Sequence, residues 1–321
     1  MKRLLNTLCL CCAGLLALPV AAQSGYPAKP VEIVVGFPPG GGNDVLTRIV
    51  ADKLQAALRQ PFVVVNRPGA DGIIAFDTVK RAAPDGYTLL VGPSSGMTVN
   101  PAVYAKLPYD PLADFEPISM VGGFPLFVVV PPDSPLRTLG ELVAQAKQKP
   151  GDLAYGSAAT SFRMATEMFA QRAGISLFHV PYQGSGKAVQ AVMAREVPLS
   201  FADAAAATAQ IKGGRLRALA VSTAQRVPGL PEVPTIAETG YPGFDVVLWS
   251  GLFAPRGTPP DIVRKLQAEV AKIVRQPDVA ARLEGMGVVP IGGSAEELRG
   301  AMSSQIGQYR EVARRAGIKV E

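Results

Sequence analysis

The feature that most constrains the fold is a repeated alternation between short apolar runs and longer amphipathic segments. Val31–Val35 is a nearly continuous apolar run, and segment 43–58 after it carries apolar side chains at helical spacing. The same alternation recurs along most of the chain. Strands that alternate with helices predict an α/β architecture with largely parallel sheets.

The alternation can be divided into individual elements, because turn residues and helix-starting residues bound most of them. The predicted strands cover 31–35, 62–65, 87–91, 118–121, 124–130, 153–155, 178–180, 199–201, 216–221, 246–254 and 288–291. The predicted helices cover 43–58, 72–83, 139–147, 162–172, 187–194, 259–275, 277–286 and 294–316. Segment 97–101 is predicted to be extended and to end at Pro101.

These elements form two α/β units and a return segment. Crossings near 121–126 and 221–226 predict lobe 1 at 23–123 plus 225–321, lobe 2 at 124–224, and a two-strand hinge between them. A cleft between two lobes is a usual place for a small ligand, and closure about the hinge follows from the same arrangement.

The first 22 residues have the pattern of a signal peptide. Lys2 and Arg3 precede an apolar run, and small residues precede a predicted cleavage site after Ala22. The alternatives are a retained anchor, a buried first helix, or lipid attachment at a cysteine of this segment. All three cysteines, Cys9, Cys11 and Cys12, lie in it. Cleavage would leave an exported chain without thiols or disulfides.

Composition argues against several function classes. The net charge of +6 would fall to +4 on loss of the two leader cations, and no basic cluster is interleaved with aromatic residues, so we expect no nucleic-acid binding. With a single histidine, His179, and no metal-ligand spacing, we expect no metal. Gly92–Gly96 matches the GxSxG pattern, but the predicted extended segment after it disfavours a nucleophile elbow. A secreted esterase that uses Ser94 remains the weaker alternative, and His179 is interpreted as a satisfied strand residue.

The strongest local signal is a glycine-rich loop between the first strand and the first helix. Consecutive glycines leave backbone N–H groups uncovered, and the helix behind them presents the positive end of its dipole. Together they predict an anion site, although Asn43 or Asp44 could instead supply an ordinary helix cap. The predicted contact residues of this loop are Phe37, Pro38, Gly40, Gly41, Gly42 and Asp44.

Other strand-to-helix loops offer further hydrogen-bond donors. Arg163 can form a bidentate pair with a carboxylate or can face solvent, and Asp203 can accept from an amine or hydroxyl or can cap a helix. The predicted contact residues from these loops are Ser94, Ser95, Thr98, Ser157, Ala158, Ala159, Thr160, Ser161, Arg163, Tyr182 and Asp203.

Ordered short motifs across the mature chain resemble the substrate-binding proteins of tripartite tricarboxylate transporters, the Bug family. They include Phe37-Pro38-Pro39-Gly40-Gly41-Gly42, Asn66-Arg67-Pro68-Gly69-Ala70, Pro84-Asp85-Gly86-Tyr87-Thr88-Leu89-Leu90, His179-Val180-Pro181-Tyr182, Leu216-Arg217-Ala218-Leu219-Ala220-Val221 and Leu230-Pro231-Glu232-Val233-Pro234-Thr235.

The resemblance implies a periplasmic two-lobed binding protein of the type 2, Venus-flytrap class. It implies a monomer that is not an enzyme and has no cofactor. Such a protein closes on a small organic anion, a mono-, di- or tricarboxylate, aromatic acids included. The partners it implies are transporter permease subunits, or a sensor kinase as the alternative.

By position, the family's carboxylate grip falls on 37–42, Asp44 and 157–161. The second-lobe loop departs from the family pattern, because Arg163 stands where a histidine is usual. We therefore predict that Arg163 meets the second acidic group of a dianion and that Phe162 narrows the cleft.

Overall fold

The computed structural model describes residues 25–157 and 159–319, so the predicted leader 1–22 with its three cysteines, and Ala158, lie outside it. The strands are β1 (Val31–Val35), β2 (Phe62–Asn66), β3 (Thr88–Pro93), β4 (Phe115–Phe124), β5 (Leu126–Val130), β6 (Ala154–Ser157), β7 (Phe178–Pro181), β8 (Leu199–Asp203), β9 (Arg217–Val221), β10 (Leu248–Pro255) and β11 (Val289–Pro290). The helices are α1 (Gly42–Leu58), α2 (Ile73–Lys80), α3 (Asn100–Val103), α4 (Leu139–Gln148), α5 (Thr160–Ala173), α6 (Ser185–Met193), α7 (Ala204–Lys212), α8 (Pro260–Val274), α9 (Pro277–Gly285) and α10 (Ala295–Ala316).

The strands form two sheets, which confirms the predicted α/β class. The first has the order β11-β4-β10-β3-β1-β2 and the second has the order β7-β6-β8-β5-β9. The prediction of largely parallel sheets is wrong. The pairs β1–β2, β1–β3, β6–β7 and β6–β8 are parallel, whereas every pair that contains β4, β5 or β10 is antiparallel. Strands β4, β5 and β10 lie where the chain passes from one sheet to the other, and each of them runs in the direction opposite to its neighbours.

The cores explain why the strands are so apolar. Every residue of β5 and of β10 is buried, so these central strands cannot show the polar alternation of a half-exposed strand. One core packs α1 and α8 against the first sheet, and another packs α4 and α5 against the second. None of the helices in 25–157 and 159–319 combines the length and apolar character needed to cross a membrane.

The two chain crossings differ in length. β4 ends at Phe124 and β5 begins at Leu126, so a single residue joins the sheets there. At the second crossing, Ile236, Phe244 and Val246 are buried in the core of the second sheet, so the chain packs with that sheet up to the start of β10. The lobe boundary at 224/225 stays a prediction.

Two local predictions are corrected by the structure. Segment 97–101 is not extended: a π-helical turn at Ser95–Val99 leads directly into α3. Pro101 has no N–H to continue the π-helical pattern, and the Gly96 carbonyl accepts from the Tyr109 hydroxyl instead. Helix α7, which follows β8, was not predicted at all. The predicted helix 72–83 begins at Ile73, after a tight 3₁₀ turn at Ala70–Gly72.

Candidate functional site

A cavity of about 260 Å³ lies between the two sheets. Its wall draws on the first sheet through the β1–α1 loop, the turn after β3 and the start of β10, and on the second through the start of α5 and the end of β8. The lining residues are Phe37, Gly42, Asn43, Asp71, Pro93, Ser94, Ser95, Val99, Asn100, Phe124, Ala159, Thr160, Ser161, Phe162, Asp203, Leu248, Trp249 and Ser250.

The glycine-rich loop opens the N-terminus of α1 toward this cavity. Gly41 precedes the helix with extended backbone, and no side chain caps the first turn. Gly40 has φ +81°, a left-handed conformation that favours glycine. The N–H groups of Gly42 and Asn43 are at the start of the helix, where they have no intrahelical acceptor. The first turn of α1 therefore presents backbone donors to the cavity.

Asp44 holds this loop in place rather than lining the cavity. Its buried carboxylate accepts hydrogen bonds from the Gly40 N–H at 2.9 Å, Arg48 Nε at 3.0 Å and Asn66 Nδ2 at 2.9 Å. Burial raises the pKa of Asp44, but the bonds from Arg48, Gly40 and Asn66 outweigh burial and lower it. The predicted ligand contact is thus a buried anion that neutralises Arg48 and shapes the turn.

The second sheet contributes a matching helix start. Helix α5 begins at Thr160 after Ala159, which has extended backbone and supplies no side-chain cap. Thr160 and Ser161 line the cavity and add two hydroxyl groups to the backbone donors of this turn. The cavity is therefore faced by two helix N-termini, one from each sheet, and neither is capped by a side chain.

Behind the second loop, Ser157 pairs with the only histidine. Ser157 Oγ lies 2.7 Å from His179 Nε2, across the parallel strands β6 and β7. Burial, and then the charge of Arg163, lower the pKa of His179 to about 4. The neutral imidazole fixes the end of β6 immediately before the cavity loop.

Arg163, which is predicted to meet a ligand, is not among the residues that line the cavity. Its charge lowers the pKa of His179, and its Nε is buried without a hydrogen-bond partner among the described residues. Tyr155 donates from its hydroxyl to Glu167 at 2.9 Å, so Arg163 belongs to a cluster inside the second lobe. Residues of the first turn of a helix lie on different sides of it, which is why adjacency to the loop in sequence was misleading.

The GxSxG segment is followed by a helical turn, so the argument from sequence against a nucleophile elbow was wrong in its premise. The surroundings of Ser94 are nevertheless those of a structural serine. Ser94 Oγ accepts from the backbone N–H of Trp249 at 3.2 Å, and the buried Thr98 hydroxyl donates to the Ser94 carbonyl at 2.7 Å. The backbone of Ser94 is unstrained, with φ −55° and ψ −29°. His179, which the esterase alternative needs as its base, pairs with Ser157 instead.

The only charged side chains in the described lining are Asp71 and Asp203. Asp71 lies in the turn before α2 with φ +51°, and its Oδ2 accepts from the Tyr104 hydroxyl at 2.8 Å. Asp203 caps α7, since its Oδ1 accepts from the Ala206 N–H at 2.8 Å. Within residues 25–157 and 159–319, no three His, Cys, Asp or Glu side chains group closely enough to hold a metal ion.

The predicted contact residues divide into two groups. Those that line the cavity are Phe37, Gly42, Ser94, Ser95, Ala159, Thr160, Ser161 and Asp203. Those that lie away from the described lining are Pro38, Gly40, Gly41, Asp44, Thr98, Ser157, Arg163 and Tyr182, while Ala158 is outside the described residues. Tyr182 packs its ring over Gly156.

Ten of the lining residues are absent from the predicted contact set, although one of them, Phe162, is predicted to narrow the cleft. They are Asn43, Asp71, Pro93, Val99, Asn100, Phe124, Phe162, Leu248, Trp249 and Ser250. The last three arrive through β10, which lies next to β3 in the sheet although it is far along the chain. Asp71 had a local signal, because it lies in the turn after the Asn66–Ala70 motif.

Two sheets that enclose one small cavity define a two-lobed solute-binding protein. The family model for the tripartite tricarboxylate transporter family receptor matches residues 46–318. BugT of Bordetella pertussis is 37% identical over 309 residues, which cover 95% of this chain and 94% of BugT. This chain therefore belongs to the tripartite tricarboxylate transporter receptor family, as its motifs predicted.

Solved structures agree with this assignment. R. palustris Rpa4515 with adipate is 34% identical, with a TM-score of 0.79 over 92% of this chain and 99% of that one. The periplasmic binding protein BugD is 31% identical, with a TM-score of 0.75 over 92% of this chain and 100% of that one. Family members of this kind are periplasmic binding proteins, and their two-lobed fold is the fold of this chain.

Proposed function

We propose that this protein is an exported solute-binding protein that closes on a small organic anion, gripped by a carboxylate, and passes it to the membrane subunits of a tripartite transporter. The family supports the transporter class, and Rpa4515, solved with adipate, supports the ligand chemistry. The predicted leader would direct export and would then be removed by cleavage after Ala22. In this proposal the protein acts as a monomer and binds its ligand without chemical change.

The observation that carries the proposal is the pair of uncapped helix N-termini, α1 and α5, that face one cavity from opposite sheets. Free N–H groups and aligned dipoles at a helix start favour an anion. An anion between them completes the hydrogen bonding of both turns only when the sheets are close together. Ligand binding would therefore stabilise the closed arrangement, with one lobe built on each sheet and the hinge at 124–126 and near Leu248.

A binding panel tests the ligand chemistry. Native mass spectrometry of the mature protein would identify a co-purified anion, and melting curves with benzoate, adipate, citrate and glutamate would rank the classes. A ligand at a hundredfold excess over its Kd stabilises the folded state by about 2.7 kcal/mol. Trp249 is the only tryptophan and lines the cavity, so its fluorescence reports binding directly. A panel without a melting shift or a fluorescence change would contradict the proposal.

Proline substitutions test the backbone grip. Gly42 and Thr160 are the first residues of α1 and α5, a position where proline is tolerated and deletes only the N–H donor. Gly42→Pro and Thr160→Pro should each weaken binding of the tightest panel compound by at least about tenfold, since a hydrogen bond to a charged group contributes roughly 1.5–3 kcal/mol. Gly42→Ala and Thr160→Ala are the matched controls that retain the N–H. Equal affinities for the proline and alanine variants would refute the grip.

A further inference from the structure

The cavity wall is acidic, although the proposed ligand is an anion. Its described lining has two carboxylates, Asp71 and Asp203, and no lysine, arginine or histidine. Residue 158, beside the lining but outside the described residues, is an alanine and adds no charge. Arg163, the nearest cation in sequence, interacts with Tyr155 and His179 instead. A plain dicarboxylate would bring a second negative charge to a wall without a compensating side-chain cation.

Asp71 is held at the rim by an unusual backbone. Gly69, Ala70, Asp71 and Gly72 all have positive φ, at 137°, 46°, 51° and 87°. Positive φ is costly for residues with a Cβ and is tolerated best by asparagine and aspartate, which suits Asp71 at this position. The hydroxyl of Tyr104 binds only one carboxylate oxygen, Oδ2. The exposed Asp71 therefore keeps acceptor capacity toward the cavity.

Asp203 lies on the opposite lobe and is only partly used by its own helix. Its Oδ1 accepts from the Ala206 N–H, whereas no described protein donor within 25–157 and 159–319 binds Oδ2. The side chain is half-buried and lines the cavity. An ionised carboxylate accepts several hydrogen bonds, so Asp203 can cap α7 and accept from a ligand at the same time.

We propose that the ligand is a zwitterion. The helix N-termini bind its carboxylate, and its protonated amine donates hydrogen bonds to Asp71 and Asp203. This inference rests on the proposed function and narrows its substrate class to amino acids and related amino-carboxylates. The aromatic wall residues Phe37, Phe124 and Trp249 suit the same group, because aromatic rings attract cations.

The test compares compounds that differ only in the amine. Isothermal titration of the full mature protein with glutamate against glutarate, and with leucine against 4-methylpentanoate, isolates the contribution of that group. In the wild-type protein we expect the amine-bearing member of at least one pair to bind about tenfold more tightly, which corresponds to ~1.4 kcal/mol.

Asp71→Asn and Asp203→Asn remove the charges with little structural change. Asparagine tolerates positive φ and can still accept from Tyr104, and it caps helices as well as aspartate does. Each substitution should reduce the preference for the amine at least threefold, and the double variant should abolish it. Asp152→Asn, which removes a carboxylate outside the cavity lining, is the matched control and should leave the preference unchanged.

The outcomes separate the two proposals. If the wild-type protein binds glutarate or 4-methylpentanoate as tightly as the matching amino acid, the zwitterion inference fails and the carboxylate function stands. If the preference exists but survives in the double variant, Asp71 and Asp203 are not its cause and the inference is equally wrong. If neither member of either pair binds, the zwitterion inference fails, and the carboxylate function is decided by benzoate, adipate and citrate in the wider panel.

Discussion

Acidification below pH 6.5 should destabilise the folded protein through its one histidine. The pKa of His179 is lowered from 6.5 to about 4, first by burial and second by the charge of Arg163. Between these values the unfolded chain binds a proton that the folded chain does not. The contribution of His179 to the free energy of unfolding is therefore fully present above pH 6.5. It decreases as the pH drops through this window and is lost below pH 4.

The magnitude follows from the width of the window. At about 1.4 kcal/mol per pH unit, the interval from 6.5 to about 4 corresponds to about 3 kcal/mol. The imidazole is only half-buried, so solvent screening should reduce this to roughly half, about 1.5 kcal/mol. Most of the loss should be complete by pH 4.5.

Two measurements check this value. Because the chain has one histidine, its imidazole protons give a single titration curve by NMR, which should have a midpoint well below 6. Urea unfolding at pH 7 and pH 4.5 should show about 1.5 kcal/mol more loss in the wild-type protein than in His179→Gln, which retains a partner for Ser157 but does not titrate. A midpoint near 6.5, or parallel losses in the two proteins, would refute the reasoning.

Three further predictions concern residues that shape the site or its supports. Asp44→Ala leaves the Gly40 N–H, Arg48 and Asn66 without their acceptor, and should lower the free energy of urea unfolding by about 2–3 kcal/mol. A loss below about 0.5 kcal/mol, which is typical of surface substitutions, would contradict the role of Asp44. Gly287 has φ +72°, and Gly287→Ala adds a Cβ 2.6 Å from the backbone nitrogen of Ala205, so the substitution should displace the start of α7. Ligand affinity in a fluorescence titration should then fall by more than about fivefold, on the order of 1 kcal/mol. Unchanged affinity would show that the two lobes adjust to the added methyl group. Thr138→Ala removes the capping box of α4 and should lower the melting temperature by an amount equivalent to about 1 kcal/mol, whereas Thr138→Ser should be nearly neutral.

The parts of the fold that could be predicted are those with local signals. Helix α10 was predicted at 294–316 and begins at Ala295, because Ser294 and Glu297 form a capping box, and it ends before Gly317, which has left-handed backbone. Helix α1 was predicted to within one residue of its start. Such caps act within a few residues, so a single sequence contains them.

The errors occur where distant contacts determine the backbone. The π-helical turn after Ser94 is held from outside: the Tyr109 hydroxyl donates to the Gly96 carbonyl at 2.7 Å, and the ring of Phe76 occupies the space of a Cβ at Gly96. Neither contact can be inferred from the local sequence. That sequence contains Pro101, and a proline favours extended backbone in the residue before it. The mixed strand directions have the same origin, because the pairing of β10 with β3 depends on contacts between segments far apart in sequence.

The same distinction explains how far family membership goes in identifying a ligand. Glycine-rich and serine-rich loops signal an anion grip because the donors are backbone groups at the starts of α1 and α5, which need only a permissive sequence. Backbone donors of this kind bind a carboxylate and do not distinguish what is attached to it. Selectivity must then come from side chains on the remaining wall, where Asp71 and Asp203 are the only charges in the described lining. These two residues reach the cavity from different lobes, so the group they select is recognised only when the lobes close.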